Sequence, residues 1–239
     1  MDVPFKVFRR FNEAALRPST GLRARLDRRA LEYFEGERLA DQLARALAHR
    51  RALPIKEVFE SFEFFGRVRR RVRAPDVADL CCGHGLTGAL FGAFEQKVER
   101  VWLLDKCRPQ NHDAVLDALG EVAPWTLEKI RYLEEPLSKA GSMIPTGASV
   151  VAVHACGMRT DRCLEVAMAL GGAVAVMPCC YNRASQGVAP EVLRRALGAE
   201  VAMDVDRTYR LVGAGYKVDW DEIPAEITPM NRVLIGLRS

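Results

Sequence analysis

The chain has 239 residues, of which 49% are hydrophobic and 28% charged, as expected of a globular protein with a real core. No run approaches 18 consecutive apolar residues, so no membrane span is predicted, and the first residues lack the apolar stretch of a secretion signal. The seven cysteines include two adjacent pairs and show no disulfide framework, so we expect reduced thiols and a cytoplasmic protein.

The net charge of +4 hides an asymmetry along the chain. Residues 1–73 contain 18 Lys and Arg against 10 Asp and Glu, whereas residues 74–239 contain 17 against 21. A basic region joined to a mildly acidic one favours an anionic partner, with RNA or another nucleic acid first among the candidates. An exposed, solvated arginine-rich helical surface explains the same charges equally well.

Residues 1–73 are predicted to be a basic helical region. Phe5, Phe8, Phe11 and Leu16 precede a break at Pro18–Gly21, and a second apolar pattern from Leu39 ends before Pro54. A third helix carries Val58 to Phe65 and is followed by a basic run that ends at Arg73. We therefore expect two parts, residues 1–73 and residues 74–239.

From Asp76 onward, short apolar runs alternate with helical stretches. The pattern predicts βαβ units and a buried parallel sheet, because each run is too short for a helix and rich in β-branched residues. Two further strands follow near the end of the chain and are expected to pair antiparallel. The predicted strands are 77–80, 101–104, 130–133, 150–153, 173–176, 216–220 and 232–237.

The first predicted strand leads directly into a glycine-rich turn. Gly83 and Gly85 permit a sharp turn and close approach of a ligand, and the following helix offers free N–H groups. Asp79 stands inside the strand, where a carboxylate suits a cationic ligand better than a pyrophosphate. Asp105 ends the second strand and can accept both hydroxyls of a ribose. Together the two acids favour S-adenosylmethionine (SAM) over NAD.

The pattern Asp79-x-x-x-Gly83-x-Gly85 resembles the first signature of the class I SAM-dependent methyltransferases, with Cys81 where a glycine is common. The resemblance covers residues 75–239. It implies an α/β, Rossmann-like sheet of seven strands in the order 3-2-1-4-5-7-6, the last strand antiparallel, preceded here by the N-terminal helical extension. The expected cofactor-binding residues are Asp79, Cys81, Gly83, His84, Gly85, Asp105, Lys106, Glu134, Glu135 and His154.

Two further motifs are more specific. His154-Ala-Cys-Gly-Met-Arg-Thr-Asp161 follows the fourth predicted strand, and Pro178-Cys-Cys-Tyr-Asn182 follows the fifth. With Ile227–Arg232, they resemble the methyltransferase subgroup that includes the eukaryotic tRNA acceptor-stem 2′-O-methyltransferase. The resemblance implies methyl transfer to RNA, with a ribose 2′-hydroxyl as one target. That tRNA enzyme carries N-terminal zinc-binding modules, and this sequence has none.

Seven of the eleven His and Cys residues fall at the carboxyl ends of the first, fourth and fifth strands, which should meet at one edge of the sheet. The favoured interpretation is that the cysteines are small hydrophobic side chains packed around SAM, so no metal is predicted. A zinc or iron–sulfur site is an alternative. A third is a nucleophilic thiol at Cys179, as in cytosine-C5 methylation.

The candidate catalytic residues are His154, Asp161, Cys179 and Tyr181, and the candidate substrate-binding residues are Arg67, Arg69, Arg70, Arg71, Tyr181 and Asn182. His154 could be a general base, could pack on SAM or could be purely structural. Asp161 could instead cap the next helix. The sequence thus predicts a SAM-dependent methyltransferase with RNA as favoured acceptor. A small-molecule or protein acceptor, or a non-catalytic binding protein, stays open.

Overall fold

A computed structural model describes residues 3–13, 16, 24–181 and 189–238. Its sheet has the order β3-β2-β1-β4-β5-β7-β6, and β7 runs antiparallel to both β5 and β6. The predicted topology is therefore confirmed. The strands are β1 (Asp76–Leu80), β2 (Arg100–Asp105), β3 (Ile130–Glu134), β4 (Ser149–Val153), β5 (Val174–Met177), β6 (Tyr216–Glu222) and β7 (Arg232–Arg238).

The five parallel strands are connected by helices, as the alternating pattern predicts, because parallel neighbours need a crossover. β1 and β4 are buried along their whole length, which explains the apolar run of β4, whereas β1 also buries the carboxylates of Asp76 and Asp79. The α-helices are α1 (Leu39–Arg50), α2 (Ile55–Val72), α3 (Leu86–Phe94), α4 (Asn111–Val122), α5 (Ala140–Met143), α6 (Met158–Leu170), α7 (Glu191–Leu197) and α8 (Ala199–Gly213).

The N-terminal region is less helical than its apolar spacing suggests. Before α1, the described residues form the 3₁₀ segments Arg9–Asn12 and Arg28–Phe34 and no α-helix. The basic run does not follow the third helix but forms its last turns, since α2 continues to Val72. The predicted break at Pro18–Gly21 lies outside the described residues.

A cluster of phenylalanine rings joins the N-terminal region to the sheet. Phe8 packs against Phe11, Phe34 and Phe59 with ring centroids 5.1–6.1 Å apart, and the same hydrophobic core includes Val77 of β1. The boundary predicted between residues 73 and 74 therefore falls inside one continuous core.

Glu63 fixes the N-terminal segment to α2. This glutamate is fully buried, and its carboxylate accepts hydrogen bonds from the backbone N–H groups of Lys6 and Val7 at 2.8 and 2.9 Å. Burial raises its pKa, although these hydrogen bonds stabilise the ionised form.

α2 carries acidic residues near its first turn and arginines in its last turns. Glu60 lies near the carboxyl end of β4, and Arg71 lies 11 residues further along, about 16 Å away along the helix axis. Among the described residues, no helix has both the length and the apolar character needed to cross a bilayer.

Candidate functional site

The turn after β1 has the tight backbone that its glycines predict. Gly83 and Gly85 have φ angles of +50° and +78°, and Cys81 adopts +57° in the same left-handed region. A side chain at Cys81 is strained there, because its Cβ crowds the following carbonyl. A Cβ built on Gly83 meets no atom within 4 Å, so the described residues leave space open beside this turn.

Asp105 reaches across from β2 to the turn. Its Oδ2 accepts a hydrogen bond from Gly83 N at 2.9 Å, and its Oδ1 accepts one from Lys106 N at 2.7 Å. The side chain of Asp105 is partly exposed. At the end of β3, Glu134 is exposed, and Glu135 just after the strand is partly exposed. The ends of β2 and β3 thus place carboxylates beside the open space at Gly83, an arrangement that fits a nucleoside with ribose hydroxyls.

Asp79 lies behind the turn instead of lining its open side. The residue is 1% exposed, and its Oδ2 accepts a hydrogen bond from Gly88 N at 2.8 Å. Burial raises the pKa of Asp79 to about 7, with a smaller contribution from the charge of Asp105. At this position Asp79 is not open to direct contact with a cationic ligand. It holds the start of α3 under the turn.

Two glutamates of α2 face the two histidines of the strand ends. Glu57 Oε2 lies 3.2 Å from His84 Nε2, and Glu60 Oε2 lies 3.0 Å from His154 Nε2. His84 also accepts a hydrogen bond from Leu86 N through Nδ1, so its ring is held between α2 and the start of α3. Sequence reasoning missed both glutamates. Their i, i+3 spacing puts them on one helix face, but nothing local indicates a histidine partner.

His154 is held in an uncommon conformation next to a buried carboxylate. Its φ angle is +65°, whereas Glu60 is 1% exposed. Burial disfavours the charged imidazole, but the contact with Glu60 and the charge of Glu57 outweigh it, so the pKa of His154 is raised. The ring is thus stabilised as a cation. A general-base role would require the pH to exceed this raised pKa.

Three cysteines meet beyond β4 and β5. The Sγ atom of Cys156 lies 3.2 Å from that of Cys179 and 3.4 Å from that of Cys180. Burial and the neighbouring thiols raise the pKa of Cys179, the opposite of what a nucleophilic thiol needs. The cytosine-C5 interpretation loses support from this environment.

Asp161 and Tyr181 belong to a charge network under the same edge of the sheet. The buried Arg207 donates to both carboxylate oxygens of Asp161, at 3.1 and 2.9 Å, and to Asp204 at 3.0 Å. Tyr181 donates its hydroxyl hydrogen to Asp204 at 2.7 Å, and Arg232 donates to the same carboxylate at 2.9 Å. In this network Asp161 joins α6 to α8, and its catalytic role stays a prediction.

The same network occupies the hydroxyl of Tyr181, whose pKa is raised by burial and by Asp204. Sequence reasoning missed Asp204 and Arg207, because each looks like an ordinary surface charge on an amphipathic helix. Asn182, the other predicted acceptor-binding residue of this motif, lies outside the described residues.

The arginine run is largely occupied by carboxylates. Arg67 is buried, and its Nη1 lies 3.6 Å from an oxygen of Asp221. Arg69 pairs with Glu95 and Arg71 with Asp219, at 2.5 and 2.6 Å. Burial and these ion pairs therefore compete with phosphate for Arg67, Arg69 and Arg71, although all three line the same groove.

Arg70 is the exception in this run. It is exposed, and no ion-pair partner for it occurs in the described part of the chain. It lines a groove of about 860 Å³, which we call the basic groove. Its basic residues include Lys6, Arg9, Arg38, Arg69, Arg70 and Arg73.

No protein-family model and no curated protein sequence matches the chain. Several solved structures match its fold. A candidate rRNA-methylase from Clostridium thermocellum matches with a TM-score of 0.50 and 14% identity, covering 72% of this chain and 92% of that one. The pyocyanin biosynthetic protein PhzM matches with a TM-score of 0.50 and 16% identity over 86% of this chain and 63% of its own. Together with the strand order, these likenesses give the chain the Rossmann-like fold of the SAM-dependent methyltransferases.

Proposed function

We propose that this chain is a SAM-dependent methyltransferase that acts on RNA. The observation that carries the cofactor proposal is the pairing of Asp105 with the turn after β1. A carboxylate that already accepts from Gly83 N retains acceptor capacity on both oxygens and stands beside open space.

The residues that would hold SAM lie on the first three strand ends. Asp105 would accept the ribose hydroxyls, and Glu134 or Glu135 would face the adenine amine. Gly83 would let the backbone approach the ligand closely, and Gly85 and Cys81 would contribute through the left-handed turn that they form with it. When bound, SAM would supply an electrophilic methyl group, and much of the rate would come from holding the acceptor in line with it.

The acceptor would lie beyond β4 and β5, where His154 directly follows β4. With a raised pKa, His154 is suited to hold a positive charge near an anionic acceptor at neutral pH and to accept a proton only at higher pH. The contribution of proton removal would therefore grow as the pH rises.

RNA is the favoured acceptor because of charge. The N-terminal region is basic overall, and the basic groove presents Arg9 and Arg70, both exposed and without an ion-pair partner among the described residues. Basic side chains free of carboxylates are those that can release counterions from phosphates.

Isothermal titration tests the cofactor proposal. The chain should bind SAM, and Asp105→Asn should weaken binding roughly 10- to 100-fold, because a hydrogen bond to a charged acceptor is lost. Asp113→Asn removes an exposed acid of α4 and should leave binding unchanged, and circular dichroism checks that both variants fold. NAD binding without SAM binding would overturn the proposal.

The acceptor is tested with methyl-labelled SAM and cell extract. Label that RNase removes and protease leaves supports RNA, whereas label that protease removes assigns the activity to a protein acceptor. Label that survives both treatments in the small-molecule fraction assigns it to a metabolite. Either of the last two outcomes overturns the RNA proposal and leaves the cofactor proposal standing.

The salt dependence of RNA binding tests the basic groove. Neutralising Arg9 and Arg70 to Gln should reduce the slope of log K against log salt by about 1 to 2. The matched control neutralises Arg162 and Arg195, two exposed arginines of α6 and α7, and should leave the slope unchanged. Equal slopes for all three proteins would contradict phosphate binding by this groove.

A further inference from the structure

We propose that Cys156, Cys179 and Cys180 form a binding site for a thiophilic metal ion, specifically Zn²⁺. The three Sγ atoms form a triangle with sides of 3.2, 3.4 and 3.7 Å. In tetrahedral zinc–thiolate geometry, a Zn–S distance of about 2.3 Å puts neighbouring sulfurs about 3.8 Å apart. To receive the ion, the sides of the triangle need to lengthen by about 0.1 to 0.6 Å.

The triangle is brought together by sheet topology. β4 and β5 are parallel neighbours with Val153 opposite Met177, so the segments that leave them start side by side. Cys156 lies three residues beyond the end of β4, and Cys179 and Cys180 lie two and three residues beyond the end of β5. Separate strand ends can thus supply ligands to one ion although two of the cysteines are adjacent in sequence.

Packing as small hydrophobic side chains does not account for this cluster. Cys163 does pack in that way, since it is fully buried in the core against α6 and β4 neighbours. In contrast, Cys180 is exposed, and Cys156 and Cys179 are only half-buried. Hydrophobic burial therefore explains Cys163 but gives no reason for three thiols to converge at an exposed edge.

Both arms of the cluster are held in place by their surroundings. On the β4 side, Thr160 Oγ1 donates a hydrogen bond to the carbonyl of Ala155, and Gly157 has φ +64° and ψ −134°, which glycine adopts readily. On the β5 side, Tyr181 follows Cys180 directly and is anchored to Asp204 at 2.7 Å. Ligands fixed by hydrogen bonds outside the site favour metal binding, because less ordering is needed.

The donor set selects the class of ion. Three thiolates suit zinc and other soft or borderline ions, whereas Mg²⁺ and Ca²⁺ prefer oxygen. Three protein ligands leave a fourth tetrahedral position for solvent or a bound molecule, the arrangement of open zinc sites. The exposed position of Cys180 gives the ion a path from solvent.

Metal titration of the full chain, stripped with chelator under reducing conditions, tests the site. One Zn²⁺ should bind per chain in competition with a chromophoric chelator, and Cys156→Ser, Cys179→Ser and Cys180→Ser should each weaken it at least about tenfold. Cys107→Ser, which removes an exposed cysteine outside the cluster, and Cys163→Ser are the matched controls and should bind as the wild type does. Urea denaturation establishes that each variant is folded.

Co²⁺ provides a second readout that is independent of methyl transfer. The wild type should give intense thiolate-to-Co²⁺ charge transfer and tetrahedral ligand-field bands, and each cluster variant should lose charge-transfer intensity. Absence of Zn²⁺ binding by the folded wild type, an octahedral Co²⁺ spectrum, or equal affinity in the cluster variants and in Cys107→Ser would overturn the proposal. These outcomes do not depend on SAM binding, so the two proposals fail separately.

Discussion

Glu60 Oε2 lies 3.0 Å from His154 Nε2 and connects the first half of α2 to the end of β4. The glutamate is almost completely buried, and the side chain of His154 is 32% exposed. The contact therefore couples the charge state of a strand-end histidine to a helix that belongs to the basic N-terminal region.

Replacing Glu60 by Gln should lower the pKa of His154. Because the folded-state pKa is raised, its contribution to stability is fully present below the unfolded value of about 6.5 and is lost as the pH rises through the folded value. The wild type should therefore exceed Glu60→Gln in stability by more at about pH 6 than at about pH 9. Urea denaturation at both pH values and NMR titration of the imidazole measure this. Glu57 contacts His84, so Glu57→Gln is the control and should lower the pKa of His154 less than Glu60→Gln does. An equal stability difference between the wild type and Glu60→Gln at both pH values would contradict the coupling.

Asp79 should make the wild type less stable as the pH rises. In the folded state its pKa is raised to about 7, whereas in the unfolded chain it is about 4. The stability that comes from the protonated carboxyl is therefore fully present below about pH 4 and is lost as the pH rises through about 7. The free energy of unfolding of Asp79→Asn, relative to that of the wild type, should therefore increase by on the order of a few kcal/mol as the pH rises from about 5 to about 8. Urea denaturation across this range measures the gain.

Asp76 provides a control of opposite sign on the same strand. Contact with Arg100 lowers the pKa of Asp76 in the folded state. The ionised carboxylate therefore stabilises the fold at pH values above the pKa of the unfolded chain, and this stabilisation is lost as the pH falls through the folded-state pKa. Asp76→Asn should therefore lose stability relative to the wild type at neutral pH and recover at acidic pH. A stability difference for Asp79→Asn that does not vary with pH would mean that its carboxyl is not held protonated.

Cys81→Gly should be more stable than Cys81→Ala by about 1 kcal/mol. Both variants lose the thiol, but only alanine keeps a Cβ at a φ of +57°. The difference is reduced by the greater freedom of glycine in the unfolded chain. Urea denaturation of the two variants side by side gives the value directly. Equal stability, or a more stable alanine variant, would show that the turn relaxes without the strain assigned to it.

Arg207→Met should destabilise the fold by about 3–5 kcal/mol, because it leaves Asp161 and Asp204 buried without their shared cation. Arg210→Met is the matched control: it removes a partly exposed arginine from Asp161 and should cost less than about 1 kcal/mol. The free energy of unfolding in urea compares them. If the two substitutions lowered the free energy of unfolding by similar amounts, the buried network would not be what holds α8 in place.

The sheet and its glycine turn could be predicted because their signals are local. β4 is a short run with three valines in five residues, and Gly83 and Gly85 occur where a turn must follow β1. The position of Asp105 also followed, since carboxyl ends of parallel strands meet at one edge. The order of the strands came from the resemblance, not from any of these patterns.

The partners of charged residues could not be predicted. The arginine run resembles a phosphate-binding surface until Glu95 and Asp219 are seen to pair with Arg69 and Arg71 across 26 and 148 residues of sequence. The histidine partners on α2 and the pairing of Asp161 with Arg207 also join residues that are far apart in sequence. The composition of a segment gives its number of charged residues, but the fold determines which of them are exposed to solvent and which are paired.

The binding of Glu63 to the backbone at Lys6 and Val7 bears on how this protein can be trimmed. A truncated chain starting at Pro75 would keep every strand, yet it would uncover the apolar side of the sheet on which α2 and the phenylalanine rings rest. Such a fragment should be recovered from inclusion bodies instead of the supernatant. Crystallisation or display of residues 75–239 alone would then require new polar side chains on that face.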